Sequence, residues 1–180
     1  MFSELDGIIL DATALIDFQF LGDWDWLKNN YAPLYIAQEV LDSDNLTPQT
    51  RSIAEKYLMP ICLDTEEMFN SFMRFALEAP LLSIADRSTL ALAQHRFLLC
   101  ASDDGLMVKT CENHGIPYIR TLKLLSEMVR TKYKTVAQVK KYVQILMGQR
   151  GKHISQSVLR AWYDDLERSQ SLAVYKLIIQ

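Results

Sequence analysis

Five carboxylates stand where an apolar run ends or a helical pattern begins, and they are Asp11, Glu39, Asp86, Asp103 and Asp104. Crowded carboxylates repel one another and raise one another's pKa unless a cation lies among them. Oxygen ligands suit Mg²⁺ or Mn²⁺, which bind a few carboxylates and keep several waters for substrate phosphates. If the fold brings these acids together, the sequence predicts a divalent-metal site.

Each acid also has a plainer explanation when it is taken alone. Asp11 and Thr13 stand between a strand and a helix, where both residue types cap helices through their side-chain oxygens. Glu39 follows a second apolar run, where the helix dipole favours a first-turn glutamate. Independent capping explains every acid separately but predicts no convergence, so both interpretations stay open for these residues.

The elements that must position the acids alternate between strand and helix. Short strands are predicted at residues 7–11, 33–37, 59–63, 97–101 and 117–120, and those at 33–37 and 97–101 are predicted to be buried strands. With helices between them, this alternation predicts an α/β fold with a mostly parallel sheet. Ligands of open α/β sheets bind beyond the carboxyl ends of the strands, and the acids lie next to those ends.

Capping residues predict where several helices begin. Thr47 followed by Pro48 is typical of a cap and a first helical position. Asp64 or Thr65 is expected to open another helix. The apolar residues of that second helix are assigned to the core, among them Phe69, Met73 and Leu77.

The last third of the chain has a different pattern. Residues 122–147 and 155–166 have helical periodicity, and residues 172–179 form an apolar segment of open type. We predict a domain over residues 1–131 and a C-terminal helical extension over residues 132–180 that packs on the same domain.

Composition indicates an ordinary globular protein. The chain has 180 residues, 49% of them hydrophobic, which is enough for one sizeable core. Its apolar runs are far shorter than the roughly 20 residues of a membrane helix, and Glu4 and Asp6 do not fit a basic signal peptide. We therefore expect no membrane association and a cytoplasmic location. Three cysteines without CxxC spacing indicate neither a disulfide framework nor a zinc site.

Four stretches in order carry a family resemblance. They are IILDATALI with Asp11 and Thr13, YIAQEVL with Glu39, LSIADRSTLALA with Asp86, and LLCASDDGLM with Ser102 and Asp104. Together they resemble the motifs of the PIN domain, a metal-dependent nuclease fold found in many toxin ribonucleases of toxin–antitoxin operons. The resemblance covers residues 8 to about 131, and HISQSVL in the tail resembles one PIN-like branch. It implies a three-layer αβα fold with the helical extension attached.

The resemblance also implies roles for the acids. Asp11, Asp86 and Asp104 would bind Mg²⁺ or Mn²⁺ directly or through water, and Glu39 would hold a metal-bound water or accept its proton. Spacing favours Asp104 for the fourth position, with Asp103 either supporting the ligands from outside or binding a second ion. Two hydroxyl residues, Thr13 and Ser102, would orient the carboxylates by hydrogen bonds.

The activity implied by the resemblance is hydrolysis of phosphodiester bonds in RNA. Single-stranded RNA is the expected substrate, and structured RNA is a further one. The products would carry a 5′-phosphate and a 3′-hydroxyl. An antitoxin protein and a second copy of the chain are the protein partners that the resemblance suggests.

A basic segment could bind such a polyanion. Residues 120–152 contain nine Lys or Arg against one acid, Glu127. Four lysines are predicted to contact phosphates: Lys132, Lys134, Lys140 and Lys141. Tyr133 and Tyr142 are candidates for stacking on bases. The alternative is a solvated helix face that carries its lysines outward.

Two other functions stay open. A non-catalytic PIN-like module would bind RNA or a protein without turnover. A phosphoryl-transfer enzyme would use Asp11 as the acceptor, but Thr13 occupies the place of the second acid in the DxDxT pattern of the haloacid dehalogenase type. Metal-dependent RNA cleavage would exclude the first, and phosphoenzyme trapping would identify the second.

Overall fold

The computed structural model describes residues 5–44 and 46–178, with side chains as far as residue 168. The strands within these residues are β1 (Ile8–Leu10), β2 (Leu34–Ala37), β3 (Met59–Ile61), β4 (Leu99–Ala101) and β5 (Tyr118–Ile119). They form one sheet in the order β3-β2-β1-β4-β5, and every pair is parallel. The prediction of a parallel α/β fold is confirmed.

Helices connect the strands along the chain, and within the described residues three more helices follow the last strand. In chain order they are α1 (Ala12–Leu21), α2 (Trp24–Tyr31), α3 (Gln38–Leu41), α4 (Pro48–Tyr57), α5 (Glu66–Glu78), α6 (Ile84–His95), α7 (Gly105–His114), α8 (Thr121–Arg130), α9 (Val136–Gly148) and α10 (Gln156–Ile178). The sheet with its flanking helices is consistent with the expected three-layer architecture.

The central strand β1 is buried along its whole length. Leu10 pairs with Ile36 of β2 on one side and with Ala101 of β4 on the other. Ile8, Ile9 and Leu10 are completely buried. Helices cover both faces of a parallel sheet, so its central strands are apolar throughout rather than alternating. Their carboxyl ends point the same way, which brings residue 11 and residue 102 together.

Helix starts follow the predicted capping chemistry. The Thr47 hydroxyl accepts a hydrogen bond from the Thr50 amide, and Pro48 is the first residue of α4. The Thr65 hydroxyl accepts from the Met68 amide at the start of α5, so Thr65 rather than Asp64 is the cap. A capping side chain satisfies an amide that has no partner inside the helix, and the signal is therefore local.

The assignment of one row of α5 to the core was wrong. Met68 and Phe75 are buried, whereas Phe69, Met73 and Leu77 are 52%, 58% and 83% exposed. These three residues are spaced four apart, so they form a row along one side of the helix. Helix α5 packs against α6, and a single packed face cannot cover every apolar residue of the helix.

Contacts divide the chain into two compact units, one up to Thr121 and one from Leu122 onward. The first unit contains the sheet and α1 to α7. The second contains α9, α10 and nearly all of α8. The predicted domain boundary at residue 131 stays a prediction. None of the described helices combines the length and apolar character that crossing a membrane requires.

The helices of the C-terminal unit differ from the prediction at both ends of the unit. The helical pattern over 122–147 is two helices, separated where Lys132 has a positive φ of 59° and Thr135 caps α9. Residues 156–166 and 172–178 belong to the single helix α10, and residue 179 of the predicted apolar segment lies outside the described residues.

Candidate metal centre

The centre of the site is the crevice where the strand order reverses. Strand β1 lies between β2 and β4, and the chain moves away from it in opposite directions to form the two halves of the sheet. In open α/β sheets such a switch point opens a crevice beyond the carboxyl ends of the strands. Asp11 follows β1 directly, and Ser102 follows β4. The Asp11 amide donates to the Ala101 carbonyl at 3.1 Å, which keeps the two strand ends side by side.

Asp11 is buried and surrounded by donors. The residue as a whole is only 1% exposed. Oδ1 accepts from the Ala14 amide at 2.7 Å, which caps α1, and from the Thr13 hydroxyl at 2.8 Å. Oδ2 accepts from the Ser102 hydroxyl at 2.5 Å. Asp11 is therefore a helix cap, and the same carboxylate is also held by a residue 91 positions away.

The buried position of the Asp11 carboxylate disfavours its charged form and raises its pKa. Burial raises the pKa of Asp11 from the ordinary 3.8 to about 7, although hydrogen bonds from Ala14, Ser102 and Thr13 act in the opposite direction. The negative charge of Asp103 raises it further. An anion that is buried beside a second anion is stabilised when a cation lies between them.

Asp103 and Asp104 are held differently. The Asp103 amide donates to the Thr13 hydroxyl at 3.3 Å, and its Oδ2 accepts from the Thr121 amide at 3.2 Å. Asp104 is exposed, and its Oδ1 accepts from the amides of Leu106 and Met107 at 2.9 Å each. One oxygen of Asp104 is thus occupied in capping α7, whereas Asp103 is the acid whose charge acts on Asp11.

Asp86 and Glu39 lie on two helices that pack against each other. Helix α6 contacts α3 and strands β1, β2 and β4. Asp86 is in the first turn of α6, where its Oδ2 accepts from the amide and the hydroxyl of Ser83 in a capping box. Glu39 is in α3, just after β2, and its Oε2 is buried without a hydrogen-bond partner among the described residues.

The hydrogen bonds therefore bring together part of the predicted set. Five of its residues share one network: Asp11, Thr13, Ser102, Asp103 and Asp104. Within residues 5–44 and 46–178, no group of three or more His, Cys, Asp or Glu is close enough to hold a metal ion. Mg²⁺ needs only one or two carboxylates because it keeps several waters. The side-chain donors of this network are all oxygens, the ligand type that such an ion takes, whereas Asp86 and Glu39 are not joined to it by the hydrogen bonds described above.

A protein-family model described as a PIN domain matches residues 7–168, which is most of the chain. The chain belongs to the PIN domain family. PIN domains are generally nucleases, and the fold is of the nuclease type. The chain matches no curated protein.

Two buried residues of this PIN domain were missed in the sequence. Asp17 is completely buried in α1, and its Oδ2 accepts from the Thr121 hydroxyl at 2.7 Å. Thr121 is 2% exposed. A signal for Asp17 exists, because an acid within the apolar stretch ALIDF is unusual for a helix that covers a sheet. Nothing local marks Thr121, whose partner lies 104 residues away.

The C-terminal unit of the PIN domain carries the predicted RNA-binding lysines. Residues from 122 onward contain eleven Lys or Arg against four acids, whereas the preceding residues contain eight against eighteen. Lys132 and Lys141 are exposed. Lys140 lies 2.8 Å from Glu167, and the Lys134 ammonium lies 4.6 Å and 5.3 Å from the ring centres of Tyr133 and Tyr142. The charge is basic over this unit, although two of the four lysines already have partners.

Proposed function

We propose that this PIN domain is a divalent-metal-dependent endoribonuclease that hydrolyses phosphodiester bonds in single-stranded RNA. The observation that carries the proposal is the arrangement of Asp11 and Asp103 at the ends of β1 and β4. Both are connected to the Thr13 hydroxyl, and the charge of one acts on the other. Two neighbouring carboxylates at the switch point of a PIN domain suit Mg²⁺ or Mn²⁺.

The proposed ligands divide into two groups. Asp11 and Asp103 would hold the ion, with Asp86 and Asp104 reaching it through their second carboxylate oxygens or through water. A bound divalent ion lowers the pKa of a coordinated water and stabilises the charge that develops on the scissile phosphate. Repulsion between Asp11 and Asp103 is the free energy that ion binding would relieve.

The protein's own groups would orient the reactants. Thr13 and Ser102 donate hydrogen bonds to Asp11 and thereby restrict the direction of its remaining lone pairs. The buried Glu39 Oε2 has an open acceptor site, so we assign it the role of accepting the proton of the attacking water. Hydrolysis in this mode leaves a 5′-phosphate and a 3′-hydroxyl.

The RNA would be bound by the basic C-terminal unit. Lys132, Lys134, Lys140 and Lys141 would neutralise phosphates and release counterions. The proposed location is the cytoplasm. The proposed biological role is that of a toxin in a toxin–antitoxin pair, with an antitoxin protein and a second copy of the chain as its protein partners.

A cleavage assay tests the proposal. Purified protein is incubated with end-labelled single-stranded RNA in Mn²⁺, in Mg²⁺ and in chelator, and the product ends are mapped. We expect cleavage with metal only, and its loss in Asp11→Asn. Asp25→Asn is the matched control, since it removes one carboxylate charge from an exposed position in the first turn of α2. Cleavage that survives chelator would contradict the proposed chemistry.

A second candidate is a PIN-like module that binds RNA or a protein without turnover. The observation in its favour is that Asp86 and Asp104 each have one oxygen engaged in a helix cap. Under this alternative the wild-type protein and Asp11→Asn would bind RNA equally well, and neither would cleave it with any divalent ion.

A further inference from the structure

Asp17 is a charged residue in a place where packing alone would select an apolar one. It lies in α1 among Leu15, Phe18 and Leu21, all of which are buried, and it is itself completely buried. Burying a carboxylate is costly unless hydrogen bonds compensate for the lost water. Its Oδ2 accepts a hydrogen bond from the Thr121 hydroxyl at 2.7 Å. Thr121 stands two positions after the last residue of β5.

Thr121 connects that buried acid to the metal centre. Its hydroxyl donates to Asp17, and its backbone amide donates to Asp103 Oδ2 at 3.2 Å. The two donors of a single residue are thus directed at two carboxylates. Because the hydroxyl is anchored on a buried group of α1, the threonine cannot turn without breaking that bond, and the amide is held toward Asp103.

Asp103 is consequently fixed at both ends. Its amide is held by the Thr13 hydroxyl, which also bonds to Asp11, and its carboxylate is held by Thr121. The Thr121 amide is one of the groups that oppose the repulsion of the Asp103 carboxylate by Asp11. Two like charges stay together in the metal-free protein only if other groups hold them.

We propose that Asp17 and Thr121 are positioning residues that hold the Asp103 carboxylate in place at the metal centre. This inference rests on the proposed metal centre. It adds a chain of hydrogen bonds that runs from Asp17 in α1 through Thr121 to the Asp103 carboxylate. Hydrogen-bond partners of metal ligands determine ligand orientation, and their loss lowers metal affinity about 10- to 100-fold. Neither residue touches the proposed ion or the substrate.

The test measures Mn²⁺ binding directly, by isothermal titration calorimetry on the full-length protein without RNA. Thr121→Val removes the hydroxyl and keeps the branched shape, and we expect it to weaken Mn²⁺ binding about tenfold. Thr121→Ser restores a hydroxyl and should recover most of the affinity. Thr110→Val is the matched control, because the buried Thr110 hydroxyl donates only to the Leu106 carbonyl, and its affinity should equal that of the wild type.

Each outcome decides between the alternatives. Unchanged Mn²⁺ affinity in folded Thr121→Val, or equal losses in Thr121→Val and Thr110→Val, would overturn the positioning role while leaving the metal centre intact. Absence of Mn²⁺ binding by the wild-type protein would instead overturn the proposed function, and the positioning role with it. If Thr121→Val does not fold, Asp17→Ala replaces it, since it removes the oxygen that accepts from the Thr121 hydroxyl and should weaken binding in the same direction.

Discussion

Replacing Asp11 by asparagine should stabilise the metal-free protein at neutral and alkaline pH while abolishing cleavage. The raised pKa of Asp11 means that the folded protein holds this proton more tightly than the unfolded chain does. Stability is therefore undiminished below the ordinary pKa of 3.8, falls as the pH rises toward about 7, and stays low above that value. Asparagine has no charge to bury and avoids this loss.

The size of the effect follows from the same pKa. The difference between about 7 and 3.8 corresponds to about 4 kcal/mol of destabilisation at pH 8. Asparagine keeps an oxygen that can accept from the Ala14 amide, but its NH2 group cannot accept from the Ser102 hydroxyl as Oδ2 does, and the loss of that hydrogen bond costs about 1 to 2 kcal/mol. We expect a net stabilisation of about 2 kcal/mol at pH 8, which disappears at about pH 5.

Urea denaturation in chelator at pH 8 and pH 5 measures this difference, and Asp25→Asn serves as the exposed control. Added Mn²⁺ should raise the stability of the wild-type protein and leave Asp11→Asn unchanged, because a ligand stabilises only the state that binds it. A variant that is less stable than the wild type at pH 8, by an amount independent of pH, would show that Asp11 acts only as the cap of α1. Normal RNA cleavage by the variant would equally refute the reasoning.

Two further predictions concern the backbone and the basic unit. Gly7→Ala should destabilise the protein by more than about 2 kcal/mol in the same denaturation assay, because the residue has a φ of +129° and a Cβ would lie 2.4 Å from the Pro33 carbonyl oxygen. Gly105→Ala, which meets nothing within 4 Å, should be neutral or slightly stabilising. Replacing all four predicted phosphate-binding lysines by glutamine should weaken RNA binding and flatten its salt dependence, by a slope of about 0.7 per lost contact in filter-binding measurements. Turnover at saturating RNA should largely recover, since those contacts stabilise ground and transition states equally; an unchanged salt slope would assign the lysines to a solvated face.

Much of the fold could be predicted from the sequence because its signals are local. Apolar runs such as residues 8–10 and 99–101 mark strands that are buried on both faces. Thr47, Pro48 and Gly115 mark helix ends through atoms within four residues of them. Asp11 was recognised as a candidate for the same reason, since an acid that directly follows a buried strand has its position determined by that strand.

The tertiary structure decided which of these acids meet. Strand order places β4 beside β1, and only this pairing brings the Ser102 hydroxyl to Asp11 across 91 residues. It also gives the adjacent acids different surroundings, since Asp104 accepts from the amides of α7 whereas the Asp103 carboxylate accepts from the Thr121 amide. Spacing in the sequence favours Asp104 for the fourth position, but it does not give the direction of either side chain, which depends on a helix start for Asp104 and on a distant amide for Asp103.

The same dependence on distant partners explains the errors and the omissions. The row of α5 that is exposed has the composition of a core face. Which apolar residues of α5 are covered depends on the side of the helix against which α6 packs. Asp17 and Thr121 are 104 residues apart and meet because the fold brings helix α1 to the residue that comes two positions after β5. Periodicity and caps determine the elements by themselves, whereas burial, pairing and the charge that each acid experiences depend on how those elements pack.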